Sequence, residues 1–302
     1  MACTEPSWNG TGAFGTTVDV KDPVQGGVLK NCSLIAGIAS LAWKKKIGVQ
    51  AGPTYTFNFY RKVNNVTITD PQQTDGIIPN PLQAKSDDPV KFWPALYEKA
   101  YYQWLEQLGL TKPSARPKYC LHIEWQSPKT LLFQLAGKEV SYTESKGGIS
   151  LVANDVFTQI NNMCDTCGMI ATNRTIKTPS VAWTFDSTAA NPANAANPAN
   201  PPYPYTPTTI TAQHTYSLLG VTGTKVAGVW TQKYIVLRNP YGKGPKDPVL
   251  AAPALYNVDA LWCSTVPPGS NINLKDTTDG IFAISADIFV KYFAGYAWTT
   301  TI

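Results

Sequence analysis

Residues 22–41 read Asp22-Pro-Val-Gln-Gly-Gly-Val-Leu-Lys-Asn-Cys32-Ser-Leu-Ile-Ala-Gly-Ile-Ala-Ser-Leu41. Proline and paired glycines make the first part of this stretch a loop. At Cys32 the pattern changes. Leu34, Ile35, Ile38, Leu41 and Ala42 follow 3.6-residue spacing, which predicts a helix from Cys32 to Lys46 that is buried on one face. Asn31 suits the N-cap. The run Lys44-Lys45-Lys46 suits the other end, where cations meet the negative pole of the helix dipole. Cys32 therefore falls in the first helical turn, where unpaired N–H groups and the dipole favour a thiolate. Position alone leaves two readings open, a nucleophile or a small buried hydrophobe.

A thiolate nucleophile needs a partner that returns a proton to the leaving group, and histidine titrates in the right range. The chain holds two histidines, His122 in Cys-Leu-His-Ile-Glu and His214 in Gln-His-Thr-Tyr-Ser. Their positions do not choose between them, and either serves equally as a structural histidine. Asn239 follows the apolar run Tyr-Ile-Val-Leu-Arg and precedes Pro240-Tyr241-Gly242. Its amide could fix the tautomer of an imidazole, or it could be an ordinary Asn-Pro turn. Gln25, upstream of Cys32, could pair its amide with the nucleophile's backbone N–H as an oxyanion hole. Cys164-Asp-Thr-Cys167 has the spacing of a zinc or redox pair. With no second pair and no nearby histidine, buried thiols or a local disulfide are the better expectation.

Outward from this stretch, residues 54–69 alternate and read as a hairpin. Phe92, Leu96, Ala100, Trp104 and Leu108 mark a helix over Asp88–Leu108. Residues 111–140 read as irregular, with a strand at Leu131–Leu135. Val152–Met163 reads as helix and Met169–Thr175 as strand. Strand-like runs follow at His214–Gly220, Gly228–Trp230 and Tyr234–Leu237. A short strand and a helix close the chain over Asp279–Phe293. Residues 190–207, NPANAANPANPPYPYTPT, are too rich in proline for helix or central strand and read as an extended, mobile insertion. The picture is a helical first half and a strand-rich second half, with a cleft between them as the expected site.

Of 302 residues, 43% are apolar, enough for a large core, and only 15% are charged. The net charge of +5 is scattered, not gathered on one stripe, which argues against nucleic acid. The longest apolar run, Ser33–Trp43, falls short of the roughly 18 residues that a membrane span needs. The first residues carry no secretory signal, so the cytoplasm is the expected compartment, with secretion the alternative if a signal has been trimmed. Sequons at Asn9, Asn31, Asn65 and Asn173 lean toward secretion. The six cysteines allow disulfides, although a chain of this length does not need them.

Together these segments resemble the calpain family, the C2-type branch of papain-like peptidases. The block at residues 22–41 is similar to the family's nucleophile block. Phe92-Trp-Pro-Ala-Leu-Tyr-Glu-Lys-Ala-Tyr101 is similar to its helix ending in Glu-Lys-Ala-Tyr. Gln213-His-Thr-Tyr-Ser-Leu resembles the histidine block, and Arg238-Asn-Pro-Tyr-Gly the asparagine block. Asp279-Gly-Ile-Phe-Ala-Ile-Ser-Ala-Asp-Ile-Phe resembles the closing strand and helix. The blocks stand in the family's order along nearly the whole chain.

The resemblance implies an α+β, papain-like two-lobed core. Its helical first lobe would cover residues 1–145 and its antiparallel, β-rich second lobe residues 146–302, with the insertion at 190–207. It implies a cysteine endopeptidase acting through Cys32, His214 and Asn239, with Gln25 as oxyanion donor and a thioester acyl-enzyme. It passes over His122. The partners would be polypeptide substrates and the chain a monomer. No cofactor would be required for the chemistry. Calcium is expected at a first-lobe site holding Asp22 and Glu98, while Lys243-Gly244-Pro245 and Ile281 stand where second-lobe acidic ligands would be expected. The insertion would be a lid or docking segment. Four departures mark the site. Gln25 and Cys32 are one residue further apart than in the family. Ser33 and Tyr241 each replace a tryptophan, and Gln213 replaces a glycine. These departures leave a second reading, a weakly active or inactive module that binds a partner through its cleft. An acyl transferase of the transglutaminase kind is the third.

Overall fold

The helix that carries Cys32 is the element on which the rest is built. In the computed structural model it runs from Cys32 to Trp43 and every one of its 12 residues is buried, so it is not amphipathic in the expected sense. Leu34, Ile35, Ile38, Leu41 and Ala42 enter a core drawn from residues 14–135. Ala39 and Trp43 enter a second core that is drawn mostly from residues 156–296. Ala36 joins Leu132, Val181 and Ala297 in a small cluster. Full burial of each Leu or Ile is worth about 1.5–3 kcal/mol. The small polar residues of the helix are matched by hydrogen bonds. Ser40 Oγ accepts from the Ser180 N–H at 2.6 Å, and Trp43 Nε1 donates to Thr175 at 2.9 Å. Gly37 has no room for a side chain, because a Cβ would lie 2.6 Å from Leu135.

The structure describes residues 5–15, 17–26, 29–44, 47, 54–80, 84–109, 118–145, 150–168, 170–186, 205, 210–245, 254–263 and 272–300. In chain order the elements are β1 (Ser7–Thr11), β2 (Pro23–Gln25), α1 (Cys32–Trp43), β3 (Thr54–Val63), β4 (Val66–Asp75), β5 (Ile77–Asn80), β6 (Ala84–Ser86), α2 (Trp93–Gln107), α3 (Lys118–Ile123) and α4 (Pro128–Ala136). Then come β7 (Val140–Glu144), α5 (Ala153–Asn162), β8 (Cys164–Thr166), β9 (Arg174–Ile176), β10 (Ser180–Thr184), β11 (Thr215–Val226), β12 (Val229–Arg238), β13 (Leu261–Trp262), β14 (Ile272–Asn273), β15 (Ile281–Ser285), α6 (Ala286–Tyr292) and β16 (Phe293–Thr299). The fold is a mixed helix and sheet architecture. Among the described residues, four two-stranded ribbons accompany one eight-stranded antiparallel sheet ordered β15-β12-β11-β10-β16-β7, with β9 pairing β11 and β8 at its side.

Several expectations are corrected. Leu131–Leu135 is helix, not strand. Ser127-Pro128 starts α4, and Gly137 ends it at φ 66. Leu131, Leu132 and Leu135 have helical spacing, and all three are buried. Helix α2 begins at Trp93 rather than Asp88: Asp88 precedes Pro89, which disfavours helical geometry there, and Pro94, which lacks an N–H, suits the first turn. Strand β7 pairs in register with β16, Val140 with Thr299 and Glu144 with Gly295, which makes residues 140–144 an edge of the large sheet. Strand β16 itself is absent from the sequence reading. The insertion at 190–207 lies outside the described residues apart from Tyr205, whose hydroxyl donates to the Tyr292 carbonyl at 2.9 Å.

The hairpins explain how distant residues meet. Asn64 and Asn65, at φ 48 and 65, turn β3 into β4. Ala227 and Gly228, at φ 49 and 81, turn β11 into β12. Cys167 is disulfide-bonded to Cys263 across 96 residues, while Cys164 is a buried free thiol that donates to the Ile160 carbonyl. The local Cys164–Cys167 pairing is therefore not formed. Cys120 is also disulfide-bonded.

Candidate active site

His214 stands just before β11 and Asn239 just after β12. These neighbouring strands run antiparallel with Ser217 opposite Arg238, so the register alone brings the two residues together. His214 Nε2 lies 3.0 Å from Asn239 Oδ1. As the carbonyl oxygen can only accept, Nε2 carries the proton and Nδ1 is left as the basic nitrogen. Both partners are fixed from behind. The His214 N–H donates to Thr184 Oγ1 at 2.9 Å, and the Thr184 N–H donates back to the His214 carbonyl. Asn239 Oδ1 also accepts from the Tyr241 N–H at 3.0 Å, and its amide donates to the Lys243 carbonyl at 2.9 Å.

Cys32 reaches this pair through Thr215, the residue after His214. Thr215 and Ser33 hydrogen-bond the sulfur, and Ser33 Oγ lies 3.0 Å from Thr215 Oγ1. Ser33 thus ties α1 to β11. Thr215 is the residue at this site that sequence reasoning missed; its adjacency to His214 was the one available signal. The Tyr241 ring stacks on His214, with centroids 4.6 Å apart and planes 17° apart, and so covers the imidazole where the family has tryptophan. Gln213 adopts φ 49, a conformation that favours glycine, which is the residue it replaces.

Burial disfavours the charged form of both Cys32 and His214. Burial pushes the Cys32 thiol up, against the opposing hydrogen bonds from Thr215 and Ser33. Burial also pushes His214 down to about 4; the Asn239 bond opposes this and the Lys30 charge adds to it. A charged form of either costs desolvation that the site does not offset at rest.

Gln25 sits at the end of β2, which pairs with β6, and its N–H donates to the Pro240 carbonyl at 2.7 Å. Its side-chain amide donates to the Leu29 carbonyl at 2.6 Å, which uses one of the two amide hydrogens. His122 lies in α3, tilted against Tyr102, with burial lowering its pKa, and takes no part in this cluster. Asn31 occupies the N-cap position without a capping bond; its amide donates instead to Glu98 at 2.5 Å.

The two carboxylates expected at calcium take separate partners. Asp22 accepts from Trp93 Nε1 at 2.8 Å and pairs with Lys91 at 3.1 Å. Glu98 is fully buried against Asn31, the Tyr119 hydroxyl and the Ala84 backbone. No group of three or more His, Cys, Asp or Glu side chains able to hold a metal occurs among the described residues. This donor set does not fit a divalent cation, since an ammonium already sits on Asp22.

The family profile described as calpain family cysteine protease matches residues 12–298, nearly the whole chain. The chain belongs to the calpain family of cysteine proteases. No curated protein matches it. The membership supports cysteine peptidase chemistry on polypeptide substrates. No helix among the described residues is long and apolar enough to cross a membrane.

Proposed function

We propose that this chain is a cysteine endopeptidase with a papain-like two-lobed core, in which Cys32, His214 and Asn239 act as a triad. The observation that carries the reading is the 3.0 Å bond between His214 and Asn239 beside a thiol held by Thr215. In this mechanism His214 Nδ1 takes the thiol proton as sulfur attacks the peptide carbonyl. The Asn239 oxygen stabilises the imidazolium that forms. The remaining Gln25 amide hydrogen and the Cys32 N–H hold the oxyanion. The imidazolium then protonates the leaving amine, and water hydrolyses the thioester. Metal has no step in this scheme. The test is intact-mass labelling by an epoxysuccinyl inhibitor. One adduct on the wild type that is absent from Cys32→Ala supports it; no adduct on folded wild type sinks it and favours the binding-module reading. That reading draws on the depressed basicity of His214 and on the Gln25 amide already bonded to Leu29.

For compartment, the Cys167–Cys263 bond favours an oxidising environment over the cytoplasm expected from the sequence. The sequons divide accordingly. Asn31 and Asn173 are buried and hydrogen-bonded, whereas Asn9 and Asn65 are exposed. Thiol counting on protein isolated from its source tests this, and a reduced Cys167 there would refute it.

A further inference from the structure

The fold treats the four Asn-X-Ser/Thr sequons, at Asn9, Asn31, Asn65 and Asn173, in two ways. An N-linked glycan is attached through the side-chain amide nitrogen, so the use the fold makes of that nitrogen decides which sequons can carry one. The Asn31 nitrogen donates to Glu98, and Asn31 is fully buried. The Asn173 nitrogen donates to the Leu261 carbonyl at 3.4 Å, while its side-chain oxygen accepts from Thr222 at 2.7 Å. A sugar on either residue would have to lie inside the core. Asn9 and Asn65 are exposed, and so are Thr11 and Thr67, the hydroxyl residues of their sequons.

Of these two, Asn65 has the more favourable setting. Asn9 lies inside β1, between Trp8 and Gly10, which both pair with β5. Asn65 lies at the end of a hairpin. Strands β3 and β4 are ten residues each and stay in register to the tip, where Val63 is opposite Val66. Every residue from Lys62 to Thr67 is exposed, so the tip stands clear of the packed body. Asn64 and Asn65 make the two-residue turn, at φ 48 and 65. A turn with positive φ at both central positions favours glycine at the second, so the turn itself gives the Asn65 side chain no structural task. Directly opposite residues share a face of the ribbon, and Val63 and Val66 are 38% and 58% exposed. An apolar pair is thus left in water beside a free asparagine amide.

Resting on the oxidising-compartment reading above, we propose that Asn65 is an N-glycosylation site whose first sugars lie over the Val63–Val66 pair. In the transfer, Asn65 Nδ2 forms a bond to the anomeric carbon of a lipid-linked oligosaccharyl diphosphate. The bond from that carbon to the diphosphate oxygen breaks, and the lipid diphosphate leaves with the electron pair. One amide proton passes to a base of the transferring enzyme. Thr67 supplies the hydroxyl that the sequon requires. The C–H faces of the sugars then cover the valines, and their hydroxyls stay in water.

The experiment is glycopeptide mapping of the full chain isolated from its source, with the Cys167–Cys263 state read on the same sample. The expected result is an oligosaccharide on Asn65 and none on Asn31 or Asn173. Peptide-N-glycosidase should remove that mass and leave aspartate at position 65. A bare Asn65 beside an oxidised Cys167–Cys263 pair overturns this proposal and leaves the compartment reading intact. A bare Asn65 beside reduced cysteines overturns both. A glycan on Asn31 or Asn173 overturns the structural argument that separates the sequons. Variants secreted from a eukaryotic host through an added leader test the site apart from the compartment. Thr67→Ala should lose the Asn65 glycan and Thr67→Ser should keep it, and both changes fall at an exposed position that the fold tolerates. Equal glycan mass in wild type and Thr67→Ala overturns the assignment to Asn65. Enzymatic removal of the glycan should lengthen retention on a hydrophobic-interaction column, and by less when Val63→Thr and Val66→Thr are combined. Equal shifts in the two proteins overturn the covering of the valines.

Discussion

Glu98 is a carboxylic acid in the wrong place for its charge. It is fully buried, and its neighbours are Asn31, which precedes Cys32, the Tyr119 hydroxyl and the Ala84 N–H, whose strand pairs with Gln25. Burial raises its pKa from 4.5 to about 7, and the bonds from Tyr119 and Asn31 oppose only part of that rise. The sign follows from linkage. A carboxyl whose pKa is raised on folding binds its proton more tightly in the folded state. Its contribution is therefore fully present below pH 4.5 and is lost as pH rises through about 7. At 1.36 kcal/mol per pH unit, the rise is worth about 3 kcal/mol, lost mainly between pH 5 and 8. Glu98→Gln removes the titration and keeps the shape: the new carbonyl can accept from Asn31, and the new amide can donate to the Tyr119 oxygen. The assay is urea unfolding of both proteins across that pH range. The stability difference should be small at pH 5 and reach about 3 kcal/mol in favour of the glutamine protein at pH 8. A difference that does not change with pH would show that Glu98 keeps an ordinary pKa and would refute the reasoning.

Four further outcomes follow from the same geometry. Asn239→Ala removes the acceptor of His214 Nε2–H and leaves the Tyr241 N–H and the Lys243 carbonyl unpaired, so kcat should fall by about one to two orders of magnitude and stability by about 1–3 kcal/mol, read by peptide turnover and by urea unfolding. Alkylation of Cys32 by iodoacetamide should climb steadily with pH toward a thiol pKa above 9, since His214 is neutral above about 4; a rate already at its plateau by pH 6 would reveal a thiolate–imidazolium pair instead. Loss of Cys167–Cys263 in the double variant Cys167→Ser, Cys263→Ser should lower stability by about 4–5 kcal/mol on a chain-entropy estimate for a loop of its 96-residue separation, seen as a lower urea midpoint with the Cys120 disulfide left intact. Excess chelator should leave the melting temperature and the epoxysuccinyl labelling rate unchanged, because Lys91 already occupies Asp22; a calcium-dependent melting shift would overturn that reading.

The parts of this fold that were legible in the sequence are those in which one local pattern decides the structure. The helix after Asn31 announces itself by spacing, the β3–β4 hairpin by alternation, and Asn239 by the strand that ends before it. The failures are failures of context. Leu131, Leu132 and Leu135 satisfy a helix template as well as a short apolar strand, and Ser127-Pro128 with Gly137, the start and stop, decide the matter. Strand β16 is short and glycine-containing, and its partners β10 and β7 lie far away in sequence. The disulfide escaped because Cys167 was read with its near neighbour Cys164 rather than with a residue 96 positions on. At the site, the pairing of His214 with Asn239 could be expected, but not the Lys91 ammonium on Asp22 or Thr215 on the sulfur, since neither has a signature in spacing.

The burial of α1 links the fold to the chemistry. A helix surrounded by apolar groups on all sides holds Cys32 rigidly, and rigidity is what brings a sulfur to within reach of one carbonyl. The same burial raises the thiol pKa, and that of its surroundings lowers the histidine, so both shifts oppose a resting ion pair. In the proposed mechanism, activation comes at the moment of attack, when a proton passes from sulfur to imidazole and two fixed dipoles, Asn239 on one side and the helix N-terminus on the other, meet the charges that develop. Neither dipole has to reorient, because Asn239 is locked by Tyr241 and Lys243 and the helix end by Asn31 on Glu98. On this account, the residues that hold Asn239 and Asn31 govern the rate through orientation, although none of them touches substrate.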